Sequence, residues 1–592
     1  MFTTLSSFFS PTEILSESVP ESIGLNETLG SINGNMITNY MGMQNFIPSN
    51  LTQLKMLITC WFLGEPTYYV SSGDKKKDNV QLKKVKNIEN IKHLYLIQEF
   101  SGNTTIDIFV KVVNKALDED FDEVLKLAIQ GRNEFNMRSG PCAILYYSAI
   151  HPKRQEFNAK NPLKFREYAK QIIKIPTDAW MLFELWKQNT KLQNKESKKG
   201  FPTILKKVIA DHIESMERYQ MKKYLNKSHI IDLIRISHAS SKNNELICDV
   251  VKKGDLDVQD VEQTWETLRS QQKSWKEIVE TLGKLPHMAL LRNLVGIAKD
   301  TNDSHYINDI IVPMLKNGVK YGKQFPFRYL SAFEEIDKLD DTFDECKKSL
   351  LNGVSDCVEL AMENFPVLSG NTLCLSDNSG SAHGTFPSQY GKQTVAKISN
   401  LSGAMSAKNC TGKGYVGVFG DKLVMIEIDK NVKVLDQVEA IHNAGKSVGG
   451  GTENGMWIFF KESFEEVTKL KNEGKEICRE NMTKWFDNIF IYSDMQCASG
   501  GLYGSNPSEY KEYAINDRYI DGLKLIQKYR ELINPKVNVY CVQVAGHNNS
   551  LIPEILYRTH ILSGWTGSEN VYAKRMNESM DNLDNGIISV TI

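Results

Sequence analysis

The sequence predicts two architectures in series: an α-solenoid through the first two thirds, then a doubly wound α/β domain. Three observations carry this. The 592 residues are too many for one ordinary core, so about two to four domains are expected. From Leu51 to Glu363 apolar residues recur at three- and four-residue spacing, and strand signals are nearly absent. After Glu363 short apolar runs alternate with helical stretches and Gly-rich turns, which is the pattern of a sheet with helices on both faces.

The chain divides accordingly into residues 1–50, 51–363 and 364–592. The first segment contains no Lys or Arg, so a secretory leader with a positive n-region is not expected. Its Ser, Thr, Asn and Gly content suggests a loosely ordered arm. A charged fraction of 24% and a hydrophobic fraction of 41% are those of a soluble globular protein. No run approaches the ~20 apolar residues of a membrane span, so no membrane partner is expected. The ten cysteines are scattered without a C-x-x-C pair. That points to reduced thiols in the cytosol or nucleus and excludes a zinc ribbon or disulfide scaffold.

In the helical segment, Phe121 to Ile129, Phe165 to Ile175, Ala179 to Trp186, Ile204 to Met216 and Trp275 to Leu282 read as amphipathic helices. Turn signals such as Gly200-Phe-Pro202 and Gly283-Lys-Leu-Pro286 separate them. Helix pairs that bury their faces on neighbours make a solenoid. No repeat register is legible, so pattern alone leaves a globular helical domain as the alternative. From His151 to Lys242 the chain holds 20 Lys and Arg against 9 Asp and Glu. The whole chain is near neutral, at −1. A basic stretch of +11 inside an otherwise acidic chain suggests a local polyanion site.

In the last third, Val367 to Ser376, Tyr415 to Phe419, Lys422 to Ile428, Ile489 to Ser493 and Val537 to Ala545 read as strands. Thr394 to Met405, Phe464 to Lys471 and Ile515 to Leu532 read as helices. The first strand runs into Asp377-Asn-Ser379-Gly-Ser381. A carboxylate and two hydroxyls then fall at a strand's carboxyl end, where open α/β sheets bind ligands. Gly449-Gly-Gly-Thr452 offers a further hydroxyl, and Ile489-Phe-Ile-Tyr-Ser-Asp494 a strand ending in a second carboxylate. Few carboxylates with neutral oxygens suit Mg²⁺ or Mn²⁺. Asp421 closes another strand and is expected to order a ligand or loop rather than bind the metal. The ordered set Asp377, Ser379, Ser381, Thr452 and Asp494 resembles the metal-ion-dependent adhesion site of von Willebrand factor A-type domains. There the serines and threonine bind the metal, and the aspartates do so directly or through water.

A second resemblance covers the helical part. Tyr68-Tyr69, Ile175-Pro-Thr-Asp-Ala-Trp, Val208-Ile-Ala-Asp211-His, Leu233-Ile-Arg235-Ile-Ser-His238, Ala289-Leu-Leu-Arg292-Asn293-Leu294 and Pro326-Phe-Arg-Tyr-Leu-Ser-Ala look like the TROVE module of Ro ribonucleoproteins, in family order. Asp494-Met-Gln-Cys-Ala-Ser-Gly and Ser563-Gly-Trp-Thr-Gly also look Ro-like. The resemblance implies HEAT-like helical repeats in a closed ring, completed by the A-type domain and monomeric. It implies small Y-like non-coding RNAs on the outer surface and single-stranded ends of misfolded RNAs in the central hole. An acidic protein ligand at the metal site is implied as well. Ser381-Ala-His-Gly departs from the Ser-Met usual after the second serine, which puts the rim of that site in question.

The residues expected at RNA are Lys206 and Lys207, adjacent on one helix, with Lys198 and Lys199 in the loop before it. Arg235 and His238, three apart on one helix face, join them. Arg132 and Arg138, flanking another helix start, are further candidates. Arg292 and Asn293, among apolar neighbours, read instead as a buried polar clamp. His383 is the only tempting base near the metal cluster. With no H-E-x-x-H spacing and no P-loop lysine, an enzyme is the least expected class. The leading expectation is an RNA-binding scaffold or quality-control factor. The rivals are a structural subunit of a larger ribonucleoprotein and a metal-dependent adhesion module.

Overall fold

Every residue of the strand Thr372–Asp377 is buried, because helices cover the sheet on both sides. Leu373 and Leu375 enter one core with Phe459, Phe460 and Tyr529. Cys374 enters the other with Ala404 and Val416. A period-two strand with two covered faces needs apolar residues throughout, which is the continuous run seen in the sequence. The computed structural model describes residues 36–38, 44–46, 48–60, 105–135, 137–192, 200–225, 229–242, 244–254, 256, 264–322, 324, 326–363, 365–384, 393–450, 453–495, 514–515, 519–544, 550–553, 556–564 and 569–584.

We number the strands of the main sheet β1 (Thr372–Asp377), β2 (Gly414–Phe419), β3 (Leu423–Glu427), β4 (Asn488–Ser493), β5 (Asn538–Gln543) and β6 (Thr559–Ser563). Their order is β6-β5-β4-β1-β2-β3. All pairs are parallel except the antiparallel β2 and β3. The order reverses between β1 and β4, so a crevice opens at their carboxyl ends. Val395–Lys408 and Val434–Gly445 pack on one face of the sheet, Glu453–Asn472 and Gly522–Leu532 on the other.

The helical part runs from Thr105–Glu119 to Asp344–Met362. Its helices pack chiefly on near neighbours in the chain. Local signals set their ends. Trp275–Leu282 has a Ser274–Glu277 capping box and a left-handed Gly283 after it. Pro176 opens Pro176–Leu192, where its missing N–H costs nothing. The apolar residues form two clusters. One gathers residues from Leu54 to Leu256. The other runs from Leu268 through Met362 and on into one face of the sheet.

Both ends of the helical part meet the α/β domain. At the far end, Asp344–Met362 packs on Val434–Gly445, and Pro326–Asp337 on Val395–Lys408. Lys408 bonds Glu359 at 2.7 Å. At the near end, the helix Asn50–Cys60 lies against β6 and against Thr105–Glu119. Its Leu54, Leu57 and Ile58 join the first helical cluster, while Met56 joins a core of the sheet. The Phe135 and Tyr572 rings meet at 5.6 Å.

Three expectations need correction. Part of the expected loose arm is structured: Met36–Thr38 pairs antiparallel with Gln44–Phe46. Buried Phe46 exchanges both backbone hydrogen bonds with Ser550, which ties this stretch to the α/β domain. Arg292 is exposed, and Asn293 bonds Ala289 of its own helix at 2.7 Å. The helix buries Leu290, Leu291, Leu294 and Ile297 instead, so the clamp reading fails on periodicity. The helix expected from Ile515 starts at Gly522, because the Asp521 carboxylate caps the N–H groups of Leu523 and Lys524. Among the described residues no helix is long and apolar enough to cross a membrane.

Candidate metal centre and nucleic-acid surface

β1 delivers Asp377 to the crevice fully buried, and β4 delivers Asp494 beside it at 3% exposure. The Asp377 carboxylate is held on both sides. One oxygen accepts the Ser379 N–H at 2.9 Å, and the other accepts the Ser493 hydroxyl at 2.6 Å. Ser493 also accepts the Met495 N–H at 3.0 Å. Met495 is left-handed, φ 60°, and turns the chain away directly after Asp494. Burial first, and then the Asp494 carboxylate, push the Asp377 carboxyl well above the ordinary carboxylate range.

The turn after β1 places the Ser379 and Ser381 hydroxyls 3.1 Å apart. Behind it, the Asn378 and Asn400 amides bond each other at 2.9 and 3.0 Å, and Ser376 donates to Asn400 at 2.7 Å. This buried network fixes the turn to Val395–Lys408. The glycine loop closes from the third side: Gly380 N–H donates to the Gly450 carbonyl at 2.9 Å. Asp421 accepts the Gly450 N–H at 3.1 Å, which is the loop-ordering role expected of it. Gly449 has φ +90°, and a Cβ there would meet the Asp421 carboxylate at 2.2 Å, so only glycine suits. Thr452, two residues beyond Gly450, lies outside the described residues.

The structure thus brings together Asp377, Ser379, Ser381 and Asp494. It adds Ser493 and the Asn378–Asn400 pair, which sequence reading missed. Ser493 had a signal, as a hydroxyl at the last position of a strand that feeds the crevice. The His383 ring meets the His442 ring at 5.6 Å, and its buried Nε2 has no hydrogen-bond partner among the described residues. Burial lowers its pKa. Among the described residues, no group of three or more His, Cys, Asp or Glu side chains is placed to hold a metal ion.

The cations of the helical part are of two kinds. Arg132 donates to Asp178 at 2.9 Å and to the Ile172 carbonyl at 3.0 Å. Arg138 donates to the same carboxylate at 2.5 Å and also to Thr177. Asp178 is fully buried and also accepts the Lys174 and Ile175 N–H groups. These two arginines tie three helices together through one buried carboxylate; the Arg132 side chain is 15% exposed and that of Arg138 42%. Arg166 is likewise held by Asp211, at 2.9 Å through Nε.

Lys206, Lys207 and Arg235 are of the other kind. Lys206 is half-buried, while Lys207 and Arg235 are exposed. They stand on Thr203–Glu214 and Ile230–Ser237, which pack together. None of the three forms an ion pair among the described residues. His238 is exposed and left-handed, φ 57°, at the end of the second helix. Lys198 and Lys199 lie outside the described residues.

Three likenesses to known proteins bear on this arrangement. Residues 258–364 match the TROVE domain family. The chain is 36% identical to telomerase protein component 1 of Rattus norvegicus and 39% identical to that of Mus musculus, each over 84 residues. Each alignment covers 13% of this chain and 3% of the relative, so the chain spans a small part of these curated relatives. The crystal structure of the Ro (RSR) protein of Deinococcus radiodurans superposes with TM-score 0.50 over 90% of this chain and 99% of that one. At 13% identity this likeness concerns the fold. Together the three bear out the resemblance to TROVE-bearing Ro proteins drawn from the short motifs.

Proposed function

We propose that this TROVE-bearing chain is an RNA-binding protein of Ro type, a ribonucleoprotein scaffold or RNA quality-control factor of the cytosol or nucleus. The observation that carries the proposal is the sorting of cations. In the helical part, carboxylates hold Arg132, Arg138 and Arg166, while Lys206, Lys207 and Arg235, on two adjoining helices, form no ion pair among the described residues. Unpaired cations on packed helices can follow a phosphate backbone and release its counterions. The ligands of this reading are small structured Y-like RNAs and the single-stranded ends of misfolded RNAs. The helical part is read as a solenoid ring of HEAT-like repeats. The helix Asn50–Cys60 supports that reading, since it shares its two faces between the first helical cluster and a core of the sheet.

The α/β domain is read as a von Willebrand A-type domain holding Mg²⁺ or Mn²⁺ through Asp377, Ser379, Ser381, Thr452 and Asp494. The donor chemistry fits. Cis oxygens of an octahedron with bonds of about 2.0–2.1 Å lie about 2.9 Å apart, close to the spacing of the two serine hydroxyls. Asp377, whose hold on its proton is raised by burial and by the Asp494 carboxylate, gains from a cation. A bound metal with neutral ligands keeps enough positive charge to take a carboxylate from a protein partner. Asp421 holds the Gly450 loop against the serine turn, and Ser493 holds Asp377. No step of this reading breaks a covalent bond, so the chain is read as non-enzymatic.

The test is crosslinking and sequencing of RNA bound to the purified chain, followed by titration in rising salt. Binding that weakens steeply with salt is expected. Affinity unchanged between low and high salt overturns the reading. The local likeness to telomerase protein component 1 favours a second reading, a subunit of a larger ribonucleoprotein. Migration in a large assembly rather than at monomer mass would select it.

A further inference from the structure

The helix Ile230–Ser237 is flanked by two left-handed histidines, His229 with φ 48° and His238 with φ 57°. Left-handed backbone is uncommon for any residue but glycine, although His adopts it more readily than most. His229 gains little packing in return, since its side chain is 58% exposed. What it does instead is stack. Its ring lies 4.2 Å from the Trp180 ring, at an interplanar angle of 19°. Trp180 belongs to an aromatic row on Pro176–Leu192: Trp180 meets Phe183 at 5.1 Å, and Phe183 meets Trp186 at 5.4 Å. Buried Phe201 supports that row from beneath, edge-on to Phe183 and Trp186. Trp180, Phe183 and Trp186 remain half-buried.

The charges around the stack are mixed. Lys187 lies 5.6 Å from the Trp180 ring centroid and 5.4 Å from that of Phe183, and it pairs with Glu184 at 2.8 Å. Asp232 stands 3.5 Å from His229. Trp180 and His229 lie inside the +11 stretch, on helices that pack against the one bearing Lys206 and Lys207. Partly exposed flat rings on helices packed against one that carries cations are what single-stranded nucleic acid uses: the cations track the backbone, and each base stacks on a π-face.

We infer that the Trp180–His229 stack is a base-stacking step for single-stranded RNA, with a nucleobase lying on the outer face of His229. The inference rests on the RNA-binding reading and names a contact within it. The stack takes any base, because every base has a π-face. The cations of the adjoining helix supply affinity without sequence preference.

The test uses the full chain and a fluorescein-labelled polyuridine oligonucleotide. His229→Ala should weaken binding about tenfold, the effect typical of removing one stacking ring. The slope of log affinity against log salt should not change, because no phosphate contact is lost. His229→Phe, which keeps the ring, should restore wild-type affinity. Matching circular-dichroism melts would show both variants folded. If His229→Ala binds as tightly as wild type while Lys206→Ala with Lys207→Ala binds more weakly, the stacking step is wrong and the RNA reading stands. If the wild-type chain binds no RNA, the RNA reading fails and the stacking step with it.

Discussion

At the carboxyl ends of β1 and β4, Asp377, Ser379 and Asp494 are buried, and among the described donors only the Ser381 hydroxyl group belongs to an exposed residue. Asp377 is held by Ser379 and Ser493, and the serine turn is braced by Asn378 and Asn400. On Thr203–Glu214 and Ile230–Ser237 the reverse holds, since Lys207 and Arg235 are exposed and no ion pair among the described residues fixes their heads. The first arrangement suits a small cation, whose binding depends on oxygen positions to a fraction of an ångström. The second suits a polyanion, whose binding depends on the number of charges and tolerates their movement. Single changes at the crevice should therefore be all-or-none, and single changes on the helices graded.

The largest expected effect is at Asp377. Asp377→Ala should abolish Mg²⁺ and Mn²⁺ binding by calorimetry while RNA affinity persists, both in that variant and in wild type with excess chelator. If chelator removes RNA binding as fully as metal, the two regions are one site and the contrast collapses. Asp377→Asn repeats the measurement with the side-chain shape kept.

The raised pKa of Asp377 adds a pH dependence whose sign follows from linkage. Because the metal-free folded state holds this proton more tightly than the unfolded chain, its stability should fall as pH rises from the ordinary carboxylate range through the raised value. Added Mg²⁺ should remove that slope, because the metal displaces the proton and favours the ionised form. Thermal melts across pH, with and without Mg²⁺, read both effects. A slope of the same size in Asp377→Asn would assign it to another group.

Asp421→Ala should weaken metal affinity about 10–100-fold without abolishing it, the usual cost of losing a group that orders a ligand loop. Unchanged affinity would mean that the Gly450 loop holds its place without that carboxylate.

Lys206→Ala with Lys207→Ala should weaken RNA binding about tenfold at low salt and lower the log–log salt slope by about 1.4–1.8, for two phosphate contacts. Helicity should not change. An unaltered slope would move the phosphate contacts elsewhere.

Arg132→Ala should have the smallest effect on RNA, none, yet should destabilise the fold by about 2 kcal/mol because Asp178 loses a charged hydrogen bond. Salt-dependent loss of RNA affinity in this variant, with an unchanged melt, would return Arg132 to the surface.

Much of this protein was legible in sequence because it is local. Apolar spacing and end signals such as Ser274, Gly283 and Pro176 set helices, since capping acts over a few residues. Asp377, Ser379 and Ser381 fall within five positions, so one turn brings two hydroxyls together with no help from the rest of the chain. What was not legible required partners far apart in sequence. Arg132, Arg138 and Asp178 are bonded across about forty residues. Only packing shows that these arginines are claimed by a buried carboxylate while Lys206 and Lys207 are not. Ser493 reaches Asp377 across a separation of 116 residues, and Trp180 meets His229 only because two helices pack. A residue's type states which bonds it can make. The tertiary structure decides which of them are already made, because burial penalises any charge left unpaired.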